Sequence, residues 1–311
     1  MAQGSRSSSV EPLSVGNIVS SGLQLYREKF KEYFPIALTA VGWSLPPILG
    51  MIVLGLIMVL IIGAQQSTTA FGIGVFGGIA LIVLAVFCTA KSLVNSALIT
   101  RLAFGELKNE PEAKTDARRF VNSRKWSFLV TWIWVALIAF GLVLGFYFVA
   151  GLIGSAIFSG GGGFIGGWLL LVIGLVAILG SLWLSARLFA VEVPLAIEPQ
   201  MMALQSVKRF WSLTKGNVWR VFAVFLITFL ITLPIFLIAR FISIIPQGLV
   251  LALLRDNSDT LAGDALSSLI SFATSLLFSV LVLPLWQIIK VAVYYDLRTR
   301  QEGLGLNLRD R

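Results

Sequence analysis

Six long apolar runs, free of charge except for Arg220 at the edge of the fifth, constrain this chain more than any other feature. They cover residues 35–62, 72–90, 126–158, 164–186, 218–239 and 266–289. A helix rises about 1.5 Å per residue, so about 20 apolar residues cross about 30 Å of hydrocarbon. Inside lipid the backbone has no water to bond, and an apolar run of this length satisfies its own N–H and C=O groups by becoming a helix. The sequence therefore predicts an all-α fold, a polytopic membrane helix bundle of about six transmembrane helices. Composition agrees: 57% of residues are hydrophobic and 13% charged, against about 25% charged in a soluble domain.

The loops predict an orientation. Lys and Arg total 24 against 15 Asp and Glu, and the basic residues gather on one side of the predicted spans. The segment between the second and third runs holds Arg101, Lys108, Lys114, Arg118, Arg119, Arg124 and Lys125. Arg187, Lys208, Arg209, Lys215 and Arg220 follow the fourth run, and Lys290, Arg298, Arg300, Arg309 and Arg311 follow the sixth. The opposite side has only Arg240 and Arg255. Cytoplasmic loops are enriched in Lys and Arg, so both termini are expected in the cytoplasm. Residues 1–12 are expected to be a disordered cytoplasmic N-terminus, 13–300 a single six-helix membrane domain and 301–311 a cytoplasmic tail. The N-terminal charges predict no cleavable signal peptide. The single cysteine, Cys88, reads as a small hydrophobe.

Two echoes suggest internal repetition. LYREKFKEYF from Leu25 and LTKGNVWRVF from Leu213 each lead into an apolar run, and Pro46 and Pro234 follow these leucines at equal distance. Lys91 and Arg101 are spaced as Lys290 and Arg300 are, and RRFVNSRKWSFL from Arg118 is a looser third copy. The expected unit is an interfacial amphipathic helix followed by a transmembrane hairpin, present three times. Chance similarity between apolar segments stays open as the alternative. Pro46 and Pro47 are expected to kink the first span.

Candidate chemistry is sparse. The chain has no histidine, which removes imidazole-rich zinc sites and serine-histidine triads. GIGVFGG, from Gly72, matches a dinucleotide-loop pattern but opens an apolar helix where a strand should precede it. Its glycines, with Gly141 and Gly145, fit close helix packing instead. Ser92 and Asn95 beside Lys91 are faint enzymatic candidates and are discounted. No ionisable residue falls near a predicted helix centre, which argues against proton or sodium coupling. Glu192, Glu198, Lys91, Lys290 and Asp296 all fall at headgroup depth. They form either a polar cluster that closes the bundle or holds a headgroup, or ordinary interfacial ion pairs. QSVKRFWSLTKGNVWRVF, from Gln205, reads as a helix in the headgroup region that either binds anionic lipid or anchors the next span. The candidate headgroup-binding or bundle-closing residues are Lys208, Arg209, Lys215, Glu198, Lys290, Asp296 and Arg298.

Three segments carry a resemblance: LSVGNIVSSGLQLYREKFKEYF from Leu13, LFAVEVPLAIEPQMMALQSVKRFWSLTKGNVWRVF from Leu188, and VAVYYDLRTRQEGLGLNL from Val291. Together they resemble a bacterial family of six-helix membrane proteins named after the membrane domain found beside glycerophosphodiester phosphodiesterases. Glu198, Ser212, Leu213, Lys215, Gly216, Tyr295, Asp296, Arg298, Arg300, Glu302 and Gly303 match its recurring positions. The resemblance implies a multi-pass protein of a bacterial inner membrane, without the catalytic domain of the family name. The expected function is that of a non-enzymatic, cofactor-free membrane protein. Its expected partners are membrane lipids with anionic headgroups, or another membrane protein, and not nucleic acid. The alternative is a transporter of a lipid-like or apolar solute without obvious ion or ATP coupling.

Overall fold

The computed structural model describes residues 14–63, 67–159, 163–254 and 260–302. Within them the chain is helical throughout: α1 (Val15–Gly42), α2 (Leu45–Gly63), α3 (Ser67–Leu107), α4 (Lys114–Ser123), α5 (Lys125–Ser159), α6 (Gly163–Leu188), α7 (Glu192–Ile197), α8 (Ala203–Leu213), α9 (Val218–Leu254) and α10 (Thr260–Glu302). Among the described residues, six stretches are long and apolar enough to cross a membrane. The all-α membrane bundle expected from the sequence is what the chain forms. A lead-in helix followed by two long apolar helices occurs three times in this order, as α1–α2–α3, α4–α5–α6 and α8–α9–α10. The terminal segments 1–12 and 303–311, residues 255–259 of the predicted outer link, and the link centres at 64–66 and 160–162 lie outside the described residues.

Several boundaries differ from expectation. Pro46 and Pro47 do not kink the first span. The chain turns at Trp43 and Ser44, and the two prolines occupy the first turn of α2. A helix start has no intrahelical acceptor for its first N–H groups, so proline there loses nothing. α3, α9 and α10 run well beyond the apolar runs that announced them, to 41, 37 and 43 residues. The segment from Gln205 is not one helix. α8 ends at Leu213, a turn follows, and α9 starts at Val218. Gly216 holds φ +83° in that turn, a conformation that a Cβ penalises.

The helices fall into two compact units. One comprises Met1–Ser21, Val130–Ile227 and Lys290–Arg311, the other Gly22–Leu129 and Thr228–Ile289. In the second unit α2 and α3 pack as a hairpin through glycine. A Cβ on Gly50 would lie 2.5 Å from a Leu81 methyl, and one on Gly77 2.6 Å from a Leu54 methyl. Gly72, Gly78, Gly141 and Gly145 meet nothing within 4 Å at that position, so the packing role expected of these four is not seen. α1 approaches α10 at Gly22, where a Cβ would be 3.0 Å from Ile289. Near this contact Pro284 interrupts the α10 hydrogen-bond ladder. The Tyr26 hydroxyl donates to the Leu281 carbonyl, in the turn before Pro284, at 3.0 Å. Thr100 likewise donates to Gln287 at 3.0 Å where both are buried.

Beyond α3 the chain doubles back tightly. Glu110 N–H donates to the Gly105 carbonyl at 2.9 Å, and Asn109 takes φ 57°. A Cβ on Gly105 would stand 2.9 Å from the Glu110 carbonyl oxygen, so this return requires glycine. It delivers Glu112 to Arg101, which binds it with two hydrogen bonds at 2.6 and 2.9 Å. α4 then buries Ala117 and Val121, while the Arg101 guanidinium lies 3.7 Å from the centre of the Phe120 ring.

Candidate functional site

The first unit gathers charge around the end of α10. Lys290, Tyr294, Arg298 and Glu302 are four residues apart and so share one helix face. Asp296 and Arg300 form a second pair of the same spacing. Each of these side chains has a partner. Glu192, which opens α7, accepts from Lys290 Nζ at 2.6 Å. Glu198, just after α7, accepts from the Tyr294 hydroxyl at 2.5 Å and lies 3.6 Å from Arg209. Arg209 also bonds Glu302, which Arg298 reaches at 2.7 Å. Asp296, 2% exposed, accepts from Arg220 Nε at 3.0 Å and pairs with Arg300 at 3.1 Å.

The short helix α7 explains the geometry. Val193, Pro194, Leu195 and Ala196 are buried, and its two flanking carboxylates are drawn onto successive turns of α10. α8 docks through Val207, Phe210 and Leu213, all buried, and the buried Ser206 hydroxyl donates to the Val191 carbonyl at 2.5 Å. Its C-terminal carbonyls, which no intrahelical N–H can satisfy, receive the Gln301 amide, at 2.8 Å from the Leu213 oxygen. Arg187 donates to the Trp211 carbonyl at 3.0 Å, with its guanidinium 4.6 Å from the Trp211 ring centre and 5.1 Å from that of Trp183.

Electrostatically the cluster is closed. Its four carboxylates, Glu192, Glu198, Asp296 and Glu302, are met by Lys290, Arg209, Arg298, Arg220 and Arg300. Burial lowers the pKa of the Arg209 guanidinium, but Glu302 and Glu198 outweigh that and hold it above the ordinary arginine value. A set of acids already bonded to cations offers no spare base. It fastens α7, α8, α9 and α10 together, most firmly at the buried Asp296, since removing one member of a buried pair costs about 3–5 kcal/mol.

Of the residues proposed from sequence, the structure joins Glu198, Arg209, Lys290, Asp296 and Arg298 in this cluster. Lys208 and Lys215 are exposed and make no ion pair among the described residues. Lys91 is not in it; it belongs to the second unit, with its ammonium 5.7 Å from the Phe87 ring centre. Asn95 beside it donates to the Lys91 carbonyl at 3.0 Å, a local helix bond. The sequence reading did not anticipate the bonding roles of Tyr294, Arg220, Gln301 and Glu302. The four-residue spacing from Lys290 to Glu302 was the available signal.

The outer surface of this segment is apolar and basic together. Met202, Leu204, Trp211 and Trp219 are exposed, Trp219 at 76%, close in sequence to Lys208 and Lys215. Val207 and Phe210, expected to enter the headgroup region, instead face the protein. No three His, Cys, Asp or Glu side chains gather as metal ligands among the described residues. No family model, no curated protein and no solved structure matches this chain.

Proposed function

We propose that this chain is a non-enzymatic integral membrane protein that holds anionic lipid headgroups on its basic face, in support of a lipid-handling or other membrane component. The observation that carries this reading is the exposed surface around α8. Lys208 and Lys215 are exposed, form no ion pair among the described residues, and follow one another along a segment that also exposes Trp211, Trp219, Leu204 and Met202. Aromatic and basic side chains in combination suit the interface between hydrocarbon and headgroups. The ion-pair cluster behind α8 supports the reading by fastening that segment without engaging either lysine. The positive-inside rule favours a cytoplasmic position for this face, and a bacterial inner membrane is what the resemblance noted above implies.

The test uses delipidated protein in a neutral detergent, titrated with short-chain phosphatidylglycerol and with phosphatidylcholine. Each lysine near an anionic surface contributes about 1 kcal/mol, so Lys208→Gln with Lys215→Gln is expected to weaken phosphatidylglycerol binding by about tenfold or more. Phosphatidylcholine binding should change little. Equal binding of both lipids by the native protein would refute the headgroup role.

A further inference from the structure

Arg240 stands on α9 directly after the fifth apolar run, on the side that the other basic residues avoid. Phe236, Leu237 and Ile244 are three or four residues from it and so share its helix face. All three are exposed, as Arg240 is. Among the described residues no carboxylate pairs with this guanidinium. In a membrane, a cation bordered by apolar side chains is costly unless it reaches water or takes an anion.

The neighbouring helix decides between these. Ser271 on α10 accepts from the Gln247 amide at 2.8 Å and from Arg240 Nη1 at 3.4 Å. Other hydroxyls of α10 behave differently: Ser267, Thr274, Ser275 and Ser279 each donate to a carbonyl three or four residues back, the ordinary outlet in a helix. Ser271 is turned across to α9, where Gln247 lies two turns beyond Arg240 on the same face. A side chain that only stretched toward water would need neither partner. Here one serine oxygen draws a guanidinium and an amide to a single point. A guanidinium has five N–H donors and an amide two, so most of these donors stay open. The cluster is a convergent set of donors with one positive charge, bordered by apolar side chains.

We propose that Arg240 and Gln247, positioned by Ser271, hold the phosphate of one anionic phospholipid, with its acyl chains along Phe236 and Leu237. The arginine fork matches two phosphate oxygens, and the exposed apolar border suits a lipid rather than a soluble anion. Its residues are not those of the surface around α8, so each site can fail alone. Under the orientation expected from the basic loops this lipid belongs to the outer leaflet. That leaflet assignment fails with the orientation, whereas binding in detergent does not.

The test uses the full chain carrying Lys208→Gln and Lys215→Gln, which removes binding at those lysines. It is delipidated in neutral detergent and titrated with short-chain phosphatidylglycerol, and bound lipids are counted by native mass spectrometry. One lipid is expected to bind more tightly than phosphatidylcholine does. Adding Arg240→Gln should weaken it by about tenfold. Arg240→Lys keeps the charge but loses the fork, and should weaken it by about threefold. Ser271→Ala should also weaken it, while Ser275→Ala, whose hydroxyl serves its own helix, should not. Thermal melting confirms that the variants are folded. Binding unchanged by Arg240→Gln, or equal in Arg240→Lys and the parent chain, overturns the proposal. Displacement of the lipid by an equal concentration of inorganic phosphate overturns the choice of a phospholipid.

Discussion

Arg220, near the start of α9, forks onto Asp296, near the end of α10, at 3.0 and 3.4 Å, and the carboxylate it holds is almost wholly buried. Asp296 also receives Arg300, so two guanidinium groups depend on one acid. Asp296→Asn removes the buried charge that both guanidinium groups share and is expected to destabilise by about 3 kcal/mol. Arg220→Gln should cost less, because Arg300 still neutralises the acid. Thermal melting in detergent checks the order; a larger loss for Arg220→Gln would contradict it.

Tyr294 and Glu198 predict a coupling. Their hydrogen bond has a charged acceptor and is worth about 1.5–3 kcal/mol. Tyr294→Phe and Glu198→Gln should therefore destabilise less in combination than the sum of the two single effects. A double-mutant cycle on melting stability reads this, and strict additivity would mean that the pair is incidental.

The two required glycines should differ. Gly216→Ala forces a Cβ into a left-handed turn, at about 1–2 kcal/mol. Gly105→Ala sets that atom against the Glu110 backbone and must move the return that carries Glu112 to Arg101. The Gly105 variant is expected to melt lower.

Orientation can be read with reporters. Fusions at Gln65, Gly161 and Asp259 are expected on the outer side of the membrane, and fusions at Glu110 and at the C-terminus inside. Any exchange between the two sets would reject the positive-inside assignment.

The spans were legible because hydrocarbon imposes a length on charge-free sequence. The helix ends were not, because hydropathy stops at the interface while the backbone does not. Lys91, Arg101, Lys290 and Arg298 are good helix formers, so α3 and α10 continue straight through them. Pro46 and Pro47 misled because proline breaks a helix interior yet suits its first turn. In α8 the amphipathic pattern correctly marked a buried face, but Val207 and Phe210 are buried by protein rather than lipid, and periodicity alone does not distinguish the two. Five of the seven candidate polar residues meet in one cluster because they lie on α8, on α10 and just after α7, which ion pairs join. The tight return past Gly105 was not legible, since it depends on how closely the Glu110 backbone packs against that glycine.

The central claim is best tested by native mass spectrometry of the protein extracted from its own membrane, with retained molecules identified. The account predicts an anionic phospholipid held at fixed stoichiometry, and its loss when Lys208 and Lys215 are changed to glutamine. Retention of bulk lipid only, or retention unaffected by those changes, would contradict it.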